Sequence, residues 1–480
     1  MQRTFLTNLA LLLVLNLLVK PFYILGIDAG VQDAVGAEVY GGYAALISLS
    51  FLLNIVLDLG ITNFNTRHVA QHRHLMGKYL SGVVGVRLVL VVLYALVTAG
   101  TGVVLGFRGA QLGMLGWLVL NQALVATILY LRSNIAGAQR FRQDSLLSVL
   151  DRVLLIGLVG WMLWGRASGE PFRMEWFVWA QTAAYGTTAL VALVFVLRLS
   201  GRVRVGWDPA FSWVVVKQSF PYALLILLMT FYYRIDTLML ERMLPDGAIQ
   251  AGIYAQGFRF FEALNMLGYL FAGLLLPMFS RMLKHKEEVA PLASLAFRLV
   301  LAGTLAAALF GSLHSRGIMD LRYREHTAMS APVFAVLIWC FVAVCTTYVF
   351  GTLLTAGGRL KWLNWMAAGG AAMNIVLNLI LIPRFQAEGA AWASLVTQGL
   401  TAVVQLVLAA RSYDLKGLTG LLLRAALYAG GLVLILLTIQ WLGLGLGGLF
   451  ALFMLLAIGW AMLSGMVSVR GLRTVLAMPK

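Results

Sequence analysis

The sequence predicts an all-α polytopic membrane protein with about 14 transmembrane helices. Of its 480 residues, 61% are hydrophobic and only 11% are charged, and the mean hydropathy is +0.88. This composition excludes a soluble globular domain. A run of about 20 mainly apolar residues is long enough to cross the hydrocarbon core of a bilayer as a helix. The chain consists of such runs, and the loops between them are too short to form a separate soluble domain.

Each apolar run is interpreted as one helix, in chain order. The runs cover residues 5–27, 39–62, 79–106, 112–133, 145–165, 175–197, 217–241, 250–278, 293–313, 331–355, 361–383, 388–410, 418–440 and 443–468. No small-residue cleavage site follows the first run, so we expect a permanent helix and not a removed signal.

Basic residues alternate between the two sides of the predicted membrane. Loops on the side of the N-terminus hold most of the Lys and Arg residues, whereas the acidic stretch DAGVQDAVGAE, residues 28–38, is expected to form a loop on the other side. Cytoplasmic loops collect Lys and Arg, so both termini are predicted to be cytoplasmic. The net charge of +17 is explained by this bias. Membrane lipids are therefore expected partners, and nucleic acid is not.

A weak internal repeat divides the chain. A shift of 214 residues aligns Lys20 with Arg234, and a shift of 211 residues aligns Arg87 with Arg298. Six predicted helices separate equivalent points, so the two copies insert in the same direction. Substrate sites of such transporters lie between the repeats, in a central cavity. The repeat predicts two six-helix lobes and a pair of extra helices, covering residues 1–200, 201–412 and 413–480.

Eight basic residues lie inside the predicted helices or at their edges, and five of them are candidates for lining the cavity; the other three are Lys217, Arg259 and Arg424. A charge in the hydrocarbon core costs roughly 3 kcal/mol or more, so it usually faces a wet cavity or an opposite charge. Counting residues from the helix ends places two of the five candidates in the outer half of the membrane and three in the inner half. The outer cations are Lys20 and Arg234, and the inner ones are Arg87, Arg152 and Arg298. Arginine can form two parallel hydrogen bonds with a phosphate, so a cavity lined by this set predicts an amphipathic phosphate as substrate.

Acidic residues in the same helices are candidates for coupling to an ion or for structural pairing. Arg234 and Asp236 lie two positions apart in TFYYRIDTLMLERM, residues 230–243, and point to nearly opposite faces of a helix. Each of them therefore needs another partner. The candidate acids are Asp236, Asp58 and Asp151.

Other chemistry-bearing patterns are weak. Cys340 and Cys345 are five positions apart in one predicted helix, which indicates neither a disulfide framework nor a metal site. The sequence contains no Walker-type nucleotide motif. No cofactor is predicted, apart from a coupling ion such as H⁺ or Na⁺.

Three segments carry a resemblance to a known family. GTLLTAGGRLKWLNWMAAGGAAMNIVLNLILIPRFQAEGAAWASLVTQ, residues 351–398, resembles the part of polysaccharide flippases where a basic loop precedes N-x-x-x-N, Leu-Ile-Pro and Gly-Ala-Ala. Residues 232–264 and 276–283 are similar to the seventh and eighth helices of the same family. This family is the polysaccharide transporter (O-antigen, or Wzx-like, flippase) branch of the multidrug/oligosaccharidyl-lipid/polysaccharide (MOP) exporter superfamily. The resemblance covers nearly the whole chain.

The resemblance implies a transporter and not an enzyme. Such proteins flip an undecaprenyl-diphosphate-linked oligosaccharide across the bacterial cytoplasmic (inner) membrane, by alternating access, for cell-surface polysaccharide biosynthesis. It implies a cationic cavity, with Arg234 in the family's basic-then-Asp pattern and Lys20 equivalent to it through the repeat. Polysaccharide polymerase and assembly proteins are possible partners. The chain departs from the family at Gln386 or Ala387, where a glycine is usual.

Three alternatives stay open at this point. The first is a flippase for the peptidoglycan lipid precursor, which uses the same chemistry. The second is a cation-coupled drug exporter of the same superfamily, which would need acids and not bases around its pocket. The third is a membrane enzyme acting on lipid-linked sugars, for which the longest outer loop, residues 314–330 with His314, Arg322, Arg324 and His326, is short.

Overall fold

The computed structural model describes residues 14–62, 65, 76–138, 140–165, 170–200, 209–415 and 418–467. Within these ranges the regular secondary structure is helical and contains no strand, which confirms the all-α prediction. The chain divides into two compact units, Met1–Gly252 and Ile253–Lys480. The division at residues 200 and 412 that the repeat suggests stays a prediction.

In the described part of the first unit, eight long helices begin. In order, α1 to α8 are Val14–Val35, Ala37–Asp58, Met76–Val104, Ala110–Gly137, Phe141–Gly160, Met174–Ser200, Pro209–Met243 and Gly247–Lys284. A π-helical segment, Trp161–Gly165, extends α5, and α8 continues past Gly252 into the second unit.

The described residues of the second unit contain six further α-helices. In order, α9 to α14 are Ala290–Leu313, Ser315–Arg322, Thr327–Ala356, Leu360–Tyr413, Leu418–Ile439 and Leu446–Leu463. Across the described residues, 13 helices are long and apolar enough to cross a membrane. α12 has 54 residues and is broken at Gln386, so it supplies two of the predicted crossings. The prediction of about 14 spans is confirmed.

The first helix is longer than its sequence suggests. The stretch 28–38, expected to be an acidic loop, is helical except at Gly36, whose φ of 84° and ψ of 163° turn the chain from α1 into α2. The loop prediction was wrong because neighbouring helices satisfy the polar side chains of this stretch. The Tyr40 hydroxyl donates to both carboxylate oxygens of Asp28 at 3.0 Å, and Gln32 Nε2 donates to the Gly252 carbonyl at 2.9 Å.

α2 lies in the core of the first unit and contacts α3, α4 and α7. Its outer end crosses the start of α8 at very short range. A Cβ added to Gly41 would overlap the Ala248 carbonyl, and one added to Gly252 would overlap the Ala37 carbonyl. Since only glycine lacks a Cβ, this crossing depends on both glycines.

The break in α12 requires a backbone conformation that side chains disfavour. Gln386 has φ 52° and ψ −132°, a region that costs roughly 1–3 kcal/mol for residues other than glycine. The next turn packs closely, since a Cβ at Gly389 would overlap the Leu381 carbonyl. The family's usual glycine thus corresponds to a strained position in this chain.

We expect Gln386→Gly to raise the free energy of unfolding by about 1 kcal/mol, because it relieves this strain. Thermal unfolding of the purified protein in detergent measures the change. Arg384→Gly, two residues earlier in regular helix, is the matched control and is expected to lower stability by about 1 kcal/mol. Equal destabilisation by both substitutions would contradict the strain at Gln386.

The outer loop 314–330 is mostly helical. α10 carries an ion pair between Arg316 Nε and Asp320 Oδ2 at 2.9 Å, and hydrogen bonds from Thr327 and Arg316 hold the pKa of Asp320 below its usual range. Tyr323 is buried, and its hydroxyl accepts a hydrogen bond from Arg259 Nη1 at 3.2 Å. The loop is therefore anchored to α8.

Candidate functional site

Arg152 is the centre of a polar cluster inside the first unit. Its Nη1 donates to the Tyr185 hydroxyl at 3.0 Å, and its Nε lies 3.8 Å from Asp151 Oδ2. Its Cζ lies 4.6 Å from the ring centroid of Tyr23 and 5.7 Å from that of Tyr185. The guanidinium is thus oriented by two aromatic rings, an arrangement that cation–π attraction stabilises. Together with Lys20, these residues form what we call the Arg152 cluster.

Lys20 adds a second cation to the Arg152 cluster. It lies on α1 within electrostatic range of Arg152, Asp151 and Arg132. Arg132 is already paired, through Nε, with Asp144 at 2.8 Å. Asp151 lies within electrostatic range of both cations, and a second acid, Asp28, lies within electrostatic range of Tyr23 and Tyr185. The Arg152 side chain as a whole is 27% exposed.

The structure changes the expected position of Lys20 along its helix. Because α1 continues to Val35, Lys20 lies about 22 Å from the outer end of its helix at 1.5 Å per residue. Arg132, its neighbour, lies near the end of α4 that is predicted to be cytoplasmic. The distance of about 12 Å derived from the sequence was measured from Asp28, whereas the helix continues to Val35; the half of the membrane that holds Lys20 stays a prediction.

A π-helical segment of α1, Tyr23–Asp28, connects the Arg152 cluster with a second polar group. Tyr23 faces Arg152, and at the other end of the segment Asp28 binds the Tyr40 hydroxyl. π segments inside helices occur frequently at functional sites. The wide turns of this segment thus place one aromatic ring and one carboxylate against different neighbours.

Arg87 occupies a different environment from Arg152. Its Nη1 binds Asp58 Oδ1 at 3.2 Å, its Nη2 donates to the Ala126 carbonyl at 2.7 Å, and its Cζ lies 4.7 Å from the Tyr130 ring centroid. Only 8% of the residue is exposed. Asp58 in turn accepts hydrogen bonds from the backbone nitrogen and the hydroxyl of Thr62. Arg87 thus connects α2, α3 and α4.

Arg234 and Asp236, the pair in TFYYRIDTLMLERM, have different surroundings. The Arg234 Cζ lies 4.7 Å from the Phe51 ring centroid on α2, and the residue is half-buried. Asp236 is fully buried. The structure therefore places Arg234 against α2, whereas Lys20 and Arg152 meet between α1 and α5.

Arg298 belongs to the second unit. It lies on α9 and interacts electrostatically with Arg424 of α13. The structure thus assembles Lys20, Arg152 and Asp151 at one place, and pairs Arg87 with Asp58 at another. That all five cations line one cavity stays a prediction. Among the residues described, no group of three or more His, Cys, Asp or Glu side chains is arranged to hold a metal ion.

Comparison with known proteins identifies the family. A sequence profile of the polysaccharide biosynthesis protein family matches residues 5–283, more than half of the chain. The chain belongs to this family. A comparison with curated protein sequences gave no significant match.

Solved structures similar to this polysaccharide biosynthesis protein are transporters of the MOP superfamily. The lipid II flippase MurJ, in an inward closed conformation, has a TM-score of 0.71 at 14% identity, over 92% of this chain and 96% of that one. A variant of the MATE transporter VcmN of Vibrio cholerae has a TM-score of 0.60 at 16% identity, over 85% and 98%. A MOP superfamily transporter of Pyrococcus furiosus has a TM-score of 0.57 at 13% identity, over 85% and 93%. These likenesses establish the MOP fold of a multi-pass membrane protein.

Sequence reasoning missed an amide and hydroxyl network in this polysaccharide biosynthesis protein. Gln181 Nε2 donates to the Tyr43 hydroxyl at 2.9 Å. Asn121 Nδ2 donates to Gln181 Oε1 at 3.3 Å, and the Thr182 hydroxyl donates to Asn121 Oδ1 at 2.7 Å. The available signal was the presence of amide side chains inside otherwise apolar helices, since such groups bind across helices in membranes.

Proposed function

We propose that this protein is a flippase for an undecaprenyl-diphosphate-linked oligosaccharide. It would move the lipid-linked sugar from the cytoplasmic to the outer leaflet of the bacterial inner membrane, for cell-surface polysaccharide biosynthesis. Its family is polysaccharide biosynthesis, and its fold is that of MOP transporters. The observation that supports the proposal is the presence of two cations, Lys20 and Arg152, in the Arg152 cluster.

A diphosphate matches the Arg152 cluster chemically. A diphosphate needs at least two cations, and Lys20 and Arg152 provide them with Asp151 as their near acid. The planar guanidinium suits bidentate phosphate binding, and Tyr23 and Tyr185 already hold it in place. We assign phosphate binding to Lys20 and Arg152. Alternating access is the proposed transport mechanism.

The other predicted residues receive different roles in the proposal. Arg87 and Asp58 stabilise the fold through their mutual ion pair. Asp151 orients Arg152. Arg234 is proposed as a further headgroup contact, and Asp236 as its structural neighbour or as a coupling acid for H⁺ or Na⁺. Polysaccharide polymerase and assembly proteins are proposed partners.

The test is a flipping assay in proteoliposomes with a short undecaprenyl-diphosphate oligosaccharide, whose headgroup is followed by accessibility to an external glycosidase. Arg152→Gln and Lys20→Gln are each expected to slow flipping roughly tenfold or more, because a hydrogen bond to a charged group contributes roughly 1.5–3 kcal/mol. Arg152→Lys keeps the positive charge but cannot form bidentate hydrogen bonds with a phosphate, so an intermediate flipping rate is expected.

Arg198→Gln is the matched control, since Arg198 is an exposed arginine in the last turn of α6. Its flipping rate should equal that of the parent. Parent-like rates in folded Arg152→Gln and Lys20→Gln variants would refute the assignment of the site. Transport of the peptidoglycan precursor but not of the oligosaccharide would refute the proposed substrate.

A further inference from the structure

The second unit contains an apolar groove along α9. One cavity of about 700 Å³ lies among α8, α9, α10, α11 and α14, and another of about 240 Å³ lies among α9, α13 and α14. Leu299, Gly303 and Met454 line both cavities. The two cavities therefore adjoin along α9, and we call them together the α9 groove. Its lining is almost entirely apolar, so its shape and chemistry fit hydrocarbon.

Two arginines lie at one end of the α9 groove. The Tyr428 hydroxyl of α13 donates to the Ala302 carbonyl of α9 at 3.2 Å. Arg424 and Arg298 each precede these residues by four positions, one helical turn. Because both helices run in the same predicted direction, the hydrogen bond sets Arg424 and Arg298 at the same level. Leu299, next to Arg298, already lines the groove.

Neither arginine has an acid on its own helix, and the acids of the other groove helices are Glu262 of α8 and Asp320 of α10, which pairs with Arg316. The sequences of α9, α11, α13 and α14 contain no Asp or Glu. Arg298 Nε is buried and finds no hydrogen-bond partner among the described residues. Arg424 is exposed, and the two guanidinium groups interact unfavourably with each other. A bound anion would stabilise two like charges in an apolar environment.

The end of the groove with the arginines is the one predicted to be cytoplasmic. α9 begins shortly after Lys284 and Lys286. Basic residues in such a loop indicate the cytoplasmic side of the membrane. Arg298 lies about 12 Å into α9 from Ala290 at 1.5 Å per residue. A lipid phosphate reaches this depth when its headgroup moves slightly toward the membrane centre.

We infer that Arg298 and Arg424 bind the phosphate of an anionic phospholipid of the inner leaflet, with an acyl chain in the α9 groove. Basic pockets between transmembrane helices on the cytoplasmic side commonly bind anionic lipid headgroups. Free phosphate would leave the apolar groove without an occupant. A lipid-linked oligosaccharide would need polar contacts for its sugars. The groove offers few of them, since Thr304 and Tyr428 are the polar side chains in its lining. The site therefore favours a phospholipid.

α13 and α14 lie outside the predicted duplicated six-helix unit. The inference gives these two helices a role in binding a phospholipid. A bound phospholipid connects α9 to α13 through charge and to α14 through its acyl chain. It also assigns Arg298 a ligand different from that of Lys20 and Arg152.

The test uses the full-length purified protein and native mass spectrometry with added phosphatidylglycerol. The double variant Arg298→Gln/Arg424→Gln is expected to bind phosphatidylglycerol roughly tenfold more weakly than the parent, because two hydrogen bonds to a charged phosphate are lost. Arg411→Gln, which removes an exposed arginine in the last turn of α12, is the matched control and should bind like the parent. Phosphatidylcholine, which has no net charge, should bind weakly to all three proteins.

A second variant tests the groove without changing a charge. A Cβ at Gly303 meets no atom within 4 Å, so Gly303→Phe is expected to fold and to fill the groove. It should reduce phosphatidylglycerol binding although both arginines remain. Unchanged phosphatidylglycerol binding in the double arginine variant would overturn the inference. Competition by inorganic phosphate as strong as by phosphatidylglycerol would also overturn it, since the groove would then have no part in binding.

Discussion

Replacement of Arg87 by methionine is expected to lower the free energy of unfolding by roughly 3 kcal/mol, because it leaves Asp58 without its charged partner in a mostly buried environment. Removing one member of a buried ion pair costs roughly 3–5 kcal/mol. The lower figure applies here because the Asp58 side chain is 28% exposed. The change is measured by denaturant titration of the purified protein in detergent.

The double variant Arg87→Met/Asp58→Asn separates a structural role from a substrate-binding role. Without the unpaired charge, it should recover most of the lost stability, since buried ion pairs are often replaceable by neutral residues. If the pair only supports the fold, flipping by the double variant should also recover. Recovered stability without recovered flipping would contradict the structural role and place Arg87 in the substrate path.

Gly41→Ala is expected to destabilise the protein by roughly 1–3 kcal/mol or more, because the new methyl group overlaps a backbone carbonyl and no rotamer relieves the overlap. The carbonyl belongs to Ala248, at the start of α8. Thermal unfolding followed by tryptophan fluorescence measures the effect.

Gly42→Ala is an unusually close control for Gly41→Ala. Gly42 is the next residue of the same helix, and a Cβ there meets no atom within 4 Å. Both substitutions improve helix propensity by up to about 1 kcal/mol, so Gly42→Ala is expected to leave stability unchanged or to increase it slightly. Similar unfolding temperatures for the two variants would show that the α2–α8 crossing is not close-packed.

Composition and hydropathy were sufficient to predict the fold class, since a chain so apolar has few alternatives to membrane helices. Composition and hydropathy failed to predict the local structure where tertiary contacts, and not the local sequence pattern, determine it. The stretch 28–38 was read as a loop because it holds three acids, yet Tyr40 and other neighbours accommodate its polar groups and α1 continues to Val35. The distance of Lys20 from the end of its helix was underestimated for the same reason.

The candidate site was only partly accessible from sequence. The cost of intramembrane charge identified Lys20, Arg87, Arg152 and Arg298 without indicating which of them meet. That depends on packing: Arg152 reaches Tyr23 and Tyr185, whereas Arg87 reaches Asp58. The amide network around Gln181 was missed because an isolated amide in an apolar helix has no periodic signature.

The one-residue linker at Gly36 has a mechanical consequence. α1 and α2 meet there with no spare length, and both backbone ends are engaged: the Gly36 nitrogen donates to the Gln32 carbonyl and its carbonyl accepts from the Tyr40 nitrogen. A loop of several residues would absorb a displacement of α1, but a single hydrogen-bonded residue transmits it. A displacement of α1 along its axis therefore also displaces the start of α2.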